Sequence, residues 1–259
     1  MENPNTRLCI LALLSLCLLA VSAIFNTFSF LIFLSISPLF AIFKEFNNTG
    51  NKSVPLKNYG FILALLSVGF GLWGFSFNKP EPIHFLQGGL FGMAISLSFL
   101  IYLFTNKYSK NRIGLLTILI YWLAIEYLLY TYIPSFAYYF LGAVFSHDKY
   151  LISWNLYTGL QGVTFWIILV NILFYFALFK NMAIFNSQIR WLSIIYTLII
   201  LVIPFAMNIS SAAIVPEDLI SHEAAIKQLS GNGEYLGKNA VWVSILMICY
   251  GFVQRKTKK

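Results

Sequence analysis

The chain alternates apolar runs of about membrane-spanning length with short polar stretches. The runs fall at Leu8 to Ala23, Phe28 to Phe43, Tyr59 to Phe77, Phe85 to Phe104, Ile113 to Ile133, Leu160 to Phe179, Ile189 to Met207 and Asn239 to Val253. Roughly 20 helical residues, each rising about 1.5 Å, cover the hydrocarbon core of a bilayer. The pattern therefore predicts an all-α polytopic membrane protein with about eight transmembrane helices, a single transmembrane domain over 1–259 and no soluble domain. Two connections exceed a hairpin turn. The first, an external aromatic segment at 134–159, carries Phe136, Tyr138, Tyr139, Phe140, Tyr150, Trp154 and Tyr157 around an apolar stretch too short to cross. Such rings favour the headgroup layer, so this segment is expected to lie at, or dip into, the outer face. The second, a short external loop at 208–238, is polar and contains Pro216-Glu217-Asp218, a helix start with an acidic first turn.

Composition removes the soluble alternative. The chain is 59% hydrophobic and only 10% charged, too little polar surface for a soluble domain of this size. Its net charge of +8 does not point to nucleic acid, because the basic residues form short clusters between apolar runs. Lys44, Lys52 and Lys57, then Lys107, Lys110 and Arg112, then Lys180 and Arg190, and finally Arg255, Lys256, Lys258 and Lys259 recur after every second crossing. The intervening segments carry Glu81, Asp148, Glu217, Asp218, Glu223 and Glu234 against only Lys79, Lys149, Lys227 and Lys238. This alternation predicts cytoplasmic N- and C-termini. The first run follows Arg7 and ends in Val21-Ser22-Ala23, which imitates a cleavable signal peptide. The second run begins almost at once, so the pair reads as an uncleaved signal anchor in a helical hairpin.

Chemistry is sparse. Cys9, Cys17 and Cys249 all lie inside apolar runs without metal-ligand spacing, and are expected to be buried structural thiols; no metal and no cofactor are implied. A phosphate-binding glycine loop and a Ser-centred nucleophile elbow are also missing from the sequence. Glu126 is the only carboxylate within the long apolar runs, at a depth where an ionisable group costs at least a few kcal/mol unless it is paired, protonated or wetted. Trp122, Glu126 and Tyr130 are spaced i, i+4, i+8 and share a helix face. Glu126 is either a protonated carboxyl bonded to a neighbouring helix or a group that touches, or positions, a substrate headgroup. Thr158, Gly159 and Gly162, with Ser153 nearby, either permit close helix packing or form the entry mouth for a lipid facing the aromatic segment. Together Trp122, Glu126, Tyr130, Trp154, Thr158, Gly159 and Gly162 are expected to line one lipid cleft opening outward. Asn171, mid-run, reads as an interhelical hydrogen bond. His84, His147 and His222 all map to the outer side. With Asp148, Glu217 or Glu223 they offer a general base or a metal site, although their spacing does not show that they converge.

The sequence resembles a known family. Trp122-x-x-x-Glu126, Pro134, Leu141-Gly142, the run from Leu156 to Phe165 and its continuation to Val170-Asn171 resemble the membrane domain of bacterial apolipoprotein N-acyltransferase. In that family the pattern is a Trp and a Glu, a Gly-Phe-Pro-Trp turn, and a Thr-Gly-x-x-Gly-x-x-Phe run ending in Val-Asn. The stretch Ser35 to Ala41 with Pro38, and Gly69-Phe70-Gly71-Leu72-Trp73, are similar to the family's second and third spans. The likeness covers most of Leu8 to Met207, and the closing span by position. Three departures stand against it. Leu129 replaces a family arginine, Ile133-Pro134-Ser135 replaces Phe-Pro-Trp, and only Asn208 to Lys238 stands where the family has an external nitrilase-like domain.

That domain holds the family's Glu-Lys-Cys triad, whose cysteine carries an acyl chain from a phospholipid to the amine of a diacylated lipoprotein. None of the triad can be carried over here. The resemblance implies a multi-pass protein of a bacterial inner membrane, in envelope or lipoprotein biogenesis. It would hold a phospholipid or lipoprotein anchor at the outer leaflet, with a separate nitrilase-like or envelope-complex subunit as its other partner. Two alternatives remain open. One is an active acyltransferase with a base or nucleophile drawn from His147, His222, Glu217, Glu223 or Lys227. The other is a non-catalytic structural subunit of an envelope complex.

Overall fold

A computed structural model describes residues 4–48, 56–75, 81–109, 114–145, 149–180, 190–211 and 234–257. Among these residues there are helices and turns and no strand. The helices are α1 (Pro4–Ile24), α2 (Ile32–Ser35), α3 (Ser37–Asn48), α4 (Leu56–Gly74), α5 (Pro82–Ser109), α6 (Leu116–Tyr132), α7 (Lys149–Phe174), α8 (Trp191–Ser211) and α9 (Glu234–Thr257). Short 3-10 turns occupy Asn26–Leu31, Pro134–Tyr139 and Leu141–Phe145, and a π turn, Tyr175–Phe179, extends α7. Among the described residues five segments are long and apolar enough to cross a membrane: Thr6–Ile24, Thr27–Phe46, Pro82–Asn106, Thr158–Phe179 and Glu234–Arg255. Tyr59–Gly74, Leu116–Tyr132 and Trp191–Ala206 are apolar but shorter.

The second apolar run is not one continuous helix. It opens with a 3-10 turn and breaks again at Ile36, between α2 and α3. Pro38 accounts for the second break: its ring collides with the carbonyl four residues back, at Leu34, and it has no N–H to give the helix ladder.

Aromatic side chains hold the interior. Phe43 packs edge-on against Phe99 and Tyr102, joining α3 to α5. Phe70 contacts Trp73, Phe91 and Trp122, joining α4, α5 and α6. Between helices in lipid there is no hydrophobic gain to draw on, so such close ring contacts, worth about 0.5–1.5 kcal/mol each, carry much of the association. α7 is the central helix, with 67% of its apolar span buried, against 28% for α1 and 22% for α9 at the periphery.

Two expectations change here. The first part of the aromatic segment lies inside the bundle: Phe136, Tyr139, Phe140, Leu141 and Phe145 are all buried, and Phe136, Tyr139 and Phe140 each sit 6.0 Å from the Phe91 ring. The second concerns the cysteines. Cys9, Cys17 and Cys249 are exposed on α1 and α9, because both helices stand at the edge and turn most of their apolar surface outward.

Candidate functional site

α6 ends where Pro134 follows Ile133, since the residue before a proline is pushed out of the helical region. Ile133 has indeed left the helical region, with φ −139° and ψ 83°, and the chain turns back into the bundle. The Trp122 and Glu126 side chains project from the inner face of α6. The Trp122 indole N–H donates to Glu126 Oε1 at 2.9 Å, and neither residue has any exposed surface. The Thr164 hydroxyl of α7 and the Leu141 backbone N–H also approach this carboxyl, while Oε2 makes no hydrogen bond of ordinary geometry. Thr164 in turn accepts the Gly142 N–H at 3.1 Å. A Cβ at Gly142 would run into the Leu160 carbonyl, so glycine is what lets the 3-10 turn lie against α7. One carboxyl thus stands where α6, α7 and the Leu141–Phe145 turn meet.

A second polar clasp lies further along α7. Asn171 Oδ1 accepts the backbone N–H groups of Ile36 at 2.8 Å and Ser37 at 3.0 Å. Its Nδ2 donates to the carbonyls of Ile32 and Ile167, both at 2.9 Å. The Ser37 hydroxyl lies 2.8 Å from the Asn171 carbonyl and 3.1 Å from Oδ1. The amide uses its full capacity of two donors and two acceptors, and three of its partners are backbone groups of the broken second run. The interhelical hydrogen bond expected of Asn171 is therefore a cap for a helix break. Ser37-Pro38 inside an apolar run was the sequence signal for that break.

Gly159 kinks α7. Its φ of 64° and ψ of −176° lie in a region open essentially to glycine alone. The bend brings the Thr158 side chain over Gly162, where a Cβ would collide with it. Thr158 and Tyr130 are partly exposed, whereas Gly159 and Gly162 are buried. Trp122 and Glu126 do not line an open cleft: other elements cover the α6 face that carries them. Trp154 lies on α7 before the kink, with its side chain outside the described residues. His147, His222, Glu217 and Glu223, with Asp148 and Lys227, also lie outside the described residues. His84, near the start of α5, receives the Tyr139 hydroxyl on its backbone carbonyl at 3.1 Å. Among the described residues no cluster of three or more His, Cys, Asp or Glu could hold a metal ion.

One contact escaped the sequence reading. The Tyr127 hydroxyl of α6 donates to Glu234 at 3.3 Å, and Glu234 pairs with Lys238 at 3.2 Å, which ties the first turn of α9 to α6. Nothing in the sequence pairs residues so far apart. What the described geometry can do is hold: it fixes a re-entrant aromatic turn, a broken helix and a kinked helix against one another through two buried polar side chains. No family model, curated protein or solved structure matches the chain.

Proposed function

We propose that the chain is an apolipoprotein N-acyltransferase-like protein of a bacterial inner membrane, which holds a phospholipid or lipoprotein anchor at the outer leaflet for a separately encoded catalytic subunit. It crosses eight times, with both termini in the cytoplasm. The five long and three shorter apolar helices supply the crossings, and the return of basic clusters after every second one supports the orientation.

The observation that carries the family reading is convergence. The residues on which the resemblance rests are scattered from Ser35 to Asn171, yet they touch one another. Asn171 meets Ser37, Trp122 meets Glu126 and Phe70, and Thr164 meets Gly142. A chance likeness between apolar sequences gives no reason for its matched positions to bind each other in pairs. In this reading Trp122, Glu126 and Asn171 are positioning residues. Lipid contact falls to the partly exposed Tyr130 of α6 and to the partly exposed Thr158, which adjoins the Gly159 kink.

Covalent acyl transfer needs an activated nucleophile at the outer surface. Cys9, Cys17 and Cys249 lie in apolar helical segments, so the reading assigns that step to the partner. The test gives the purified chain phospholipid and a synthetic diacylated lipopeptide, and follows bound lipid and product by mass spectrometry. The expected result is bound lipid and no triacylated product. A triacylated product would move the chemistry to the His and Glu residues of the external segments. Absence of bound lipid at the outer leaflet would leave only a structural role.

A further inference from the structure

α7 is enclosed around most of its circumference and open along one stripe. Gln161 lies beside Gly237 of α9, while Trp166 donates to the Ile200 carbonyl of α8 at 3.3 Å and packs its ring on Phe205 at 5.7 Å. At about 100° per residue, these two contacts stand roughly 140° apart around α7. Within that arc fall Phe165, 40% exposed, and the partly exposed Leu169 and Leu173; Phe176, 38% exposed, continues the row through the π turn. Their spacing of four, four and three residues makes one continuous row. α8 lies against α7 and the π turn, while α9 packs mainly on α6 and α5 and meets α7 beside Gln161, so the stripe stays open between them.

The stripe ends in positive charge. Lys180 Nζ lies over the Phe176 ring, 5.4 Å from its centroid, which holds the ammonium at the end of the row. Arg190 is brought to the same place by its backbone N–H, 3.4 Å from the Ala177 carbonyl, and its side chain is exposed. Among the described residues neither cation pairs with a carboxylate. From Phe165 to Phe176 the stripe is about 16 Å long at 1.5 Å per residue, close to half of a hydrocarbon core of about 30 Å. It has the length of one leaflet's acyl chain.

We infer that this stripe is a binding groove for an anionic phospholipid, with an acyl chain along Phe165, Leu169, Leu173 and Phe176 and its phosphate between Lys180 and Arg190. A zwitterionic lipid would fit the apolar row equally well but would bring no net charge to the two cations. The inference rests on the membrane reading. It concerns the end of α7 opposite the Gly159 kink, and hence the leaflet opposite the one assigned to the anchor.

The test uses the full chain in nanodiscs made from equal amounts of phosphatidylglycerol and phosphatidylcholine with the same acyl chains. The protein is extracted into detergent, and the retained lipid is counted by native mass spectrometry. Phosphatidylglycerol should be retained preferentially. Lys180→Gln with Arg190→Gln should lower that preference about 30-fold, from two interfacial charges. Leu169→Trp fills the row midway without touching either charge, and should lower retention of both lipids. Should the double variant fail to fold, the headgroup comparison on the unaltered chain and the Leu169→Trp result still decide. Equal retention of the two lipids by the unaltered chain, or retention unchanged in both variants, would overturn the groove. So would a lipid lost in Glu126→Gln but kept in the charge variant, since it would then sit at the other leaflet.

Discussion

Replacing Asn171 with leucine tests the most fully satisfied polar group in the interior. The side chain holds four partners at 2.8 to 3.0 Å: the N–H groups of Ile36 and Ser37 and the carbonyls of Ile32 and Ile167. Hydrogen bonds between membrane helices average about 0.6 kcal/mol each, because the separated helices find other partners. Three of the four, to Ile32, Ile36 and Ser37, run between helices and come to about 1.8 kcal/mol. The usual escape, in which the broken helix heals and recovers its own ladder, is blocked here. Pro38 has no N–H to offer and clashes with the Leu34 carbonyl, so the break stays whatever stands at position 171. Leucine fills a similar volume, which keeps the cavity contribution small. Reversible unfolding in mixed micelles should therefore place Asn171→Leu about 1.8 kcal/mol below the unaltered chain. Ser37→Ala, which removes only the shared hydroxyl, should fall about 0.6 kcal/mol below it. If Asn171→Leu lies within about 0.5 kcal/mol of the unaltered chain, the clasp is not what holds the break and the assignment fails.

Three further substitutions probe the other junctions by the same unfolding measurement. Glu126→Gln keeps a carbonyl oxygen for the Trp122 indole N–H and should cost less than about 1 kcal/mol, whereas Glu126→Leu strands that buried donor and should cost about 1–3 kcal/mol. Equal losses in the two would mean that the carboxyl does not act through this bond. Gly142→Ala drives a methyl into the Leu160 carbonyl, a backbone atom that cannot step aside, and should cost about 1–3 kcal/mol; a neutral result would show that the turn does not lie tightly on α7. Gly159→Ala forces a side chain into a conformation held essentially by glycine alone, at about 1–3 kcal/mol, and should also release lipid from the kink beside Thr158. Undiminished lipid binding in that variant would remove the kink from the proposed anchor site.

Much of the architecture was legible in the apolar runs, because a helix that crosses lipid must be apolar for its whole length and satisfy its own backbone. The runs located most of the long helices to within several residues, but α7 begins at Lys149, well before the Leu160 run and inside the segment expected to lie outside, and the second run is broken into shorter pieces. They also singled out Glu126 and Asn171, since a polar group deep in such a run must have a partner. The partners themselves were not legible: Asn171 bonds Ser37 across 134 residues, and Tyr127 bonds Glu234 across 107.

By itself the sequence determined the class, the order of helices and the need for something to receive Glu126 and Asn171. Tertiary structure decided which way each helix faces. It turned Trp122 and Glu126 inward, drew Phe136 to Phe145 into the bundle, put Cys9, Cys17 and Cys249 on the outside, and left Phe165 and Phe176 uncovered. In a soluble protein those choices would show in the pattern, because water demands a polar outer face. Lipid makes no such demand. A residue that touches an acyl chain and one that touches a neighbouring helix can be the same leucine or phenylalanine, so facing is settled by packing and by a few buried hydrogen bonds.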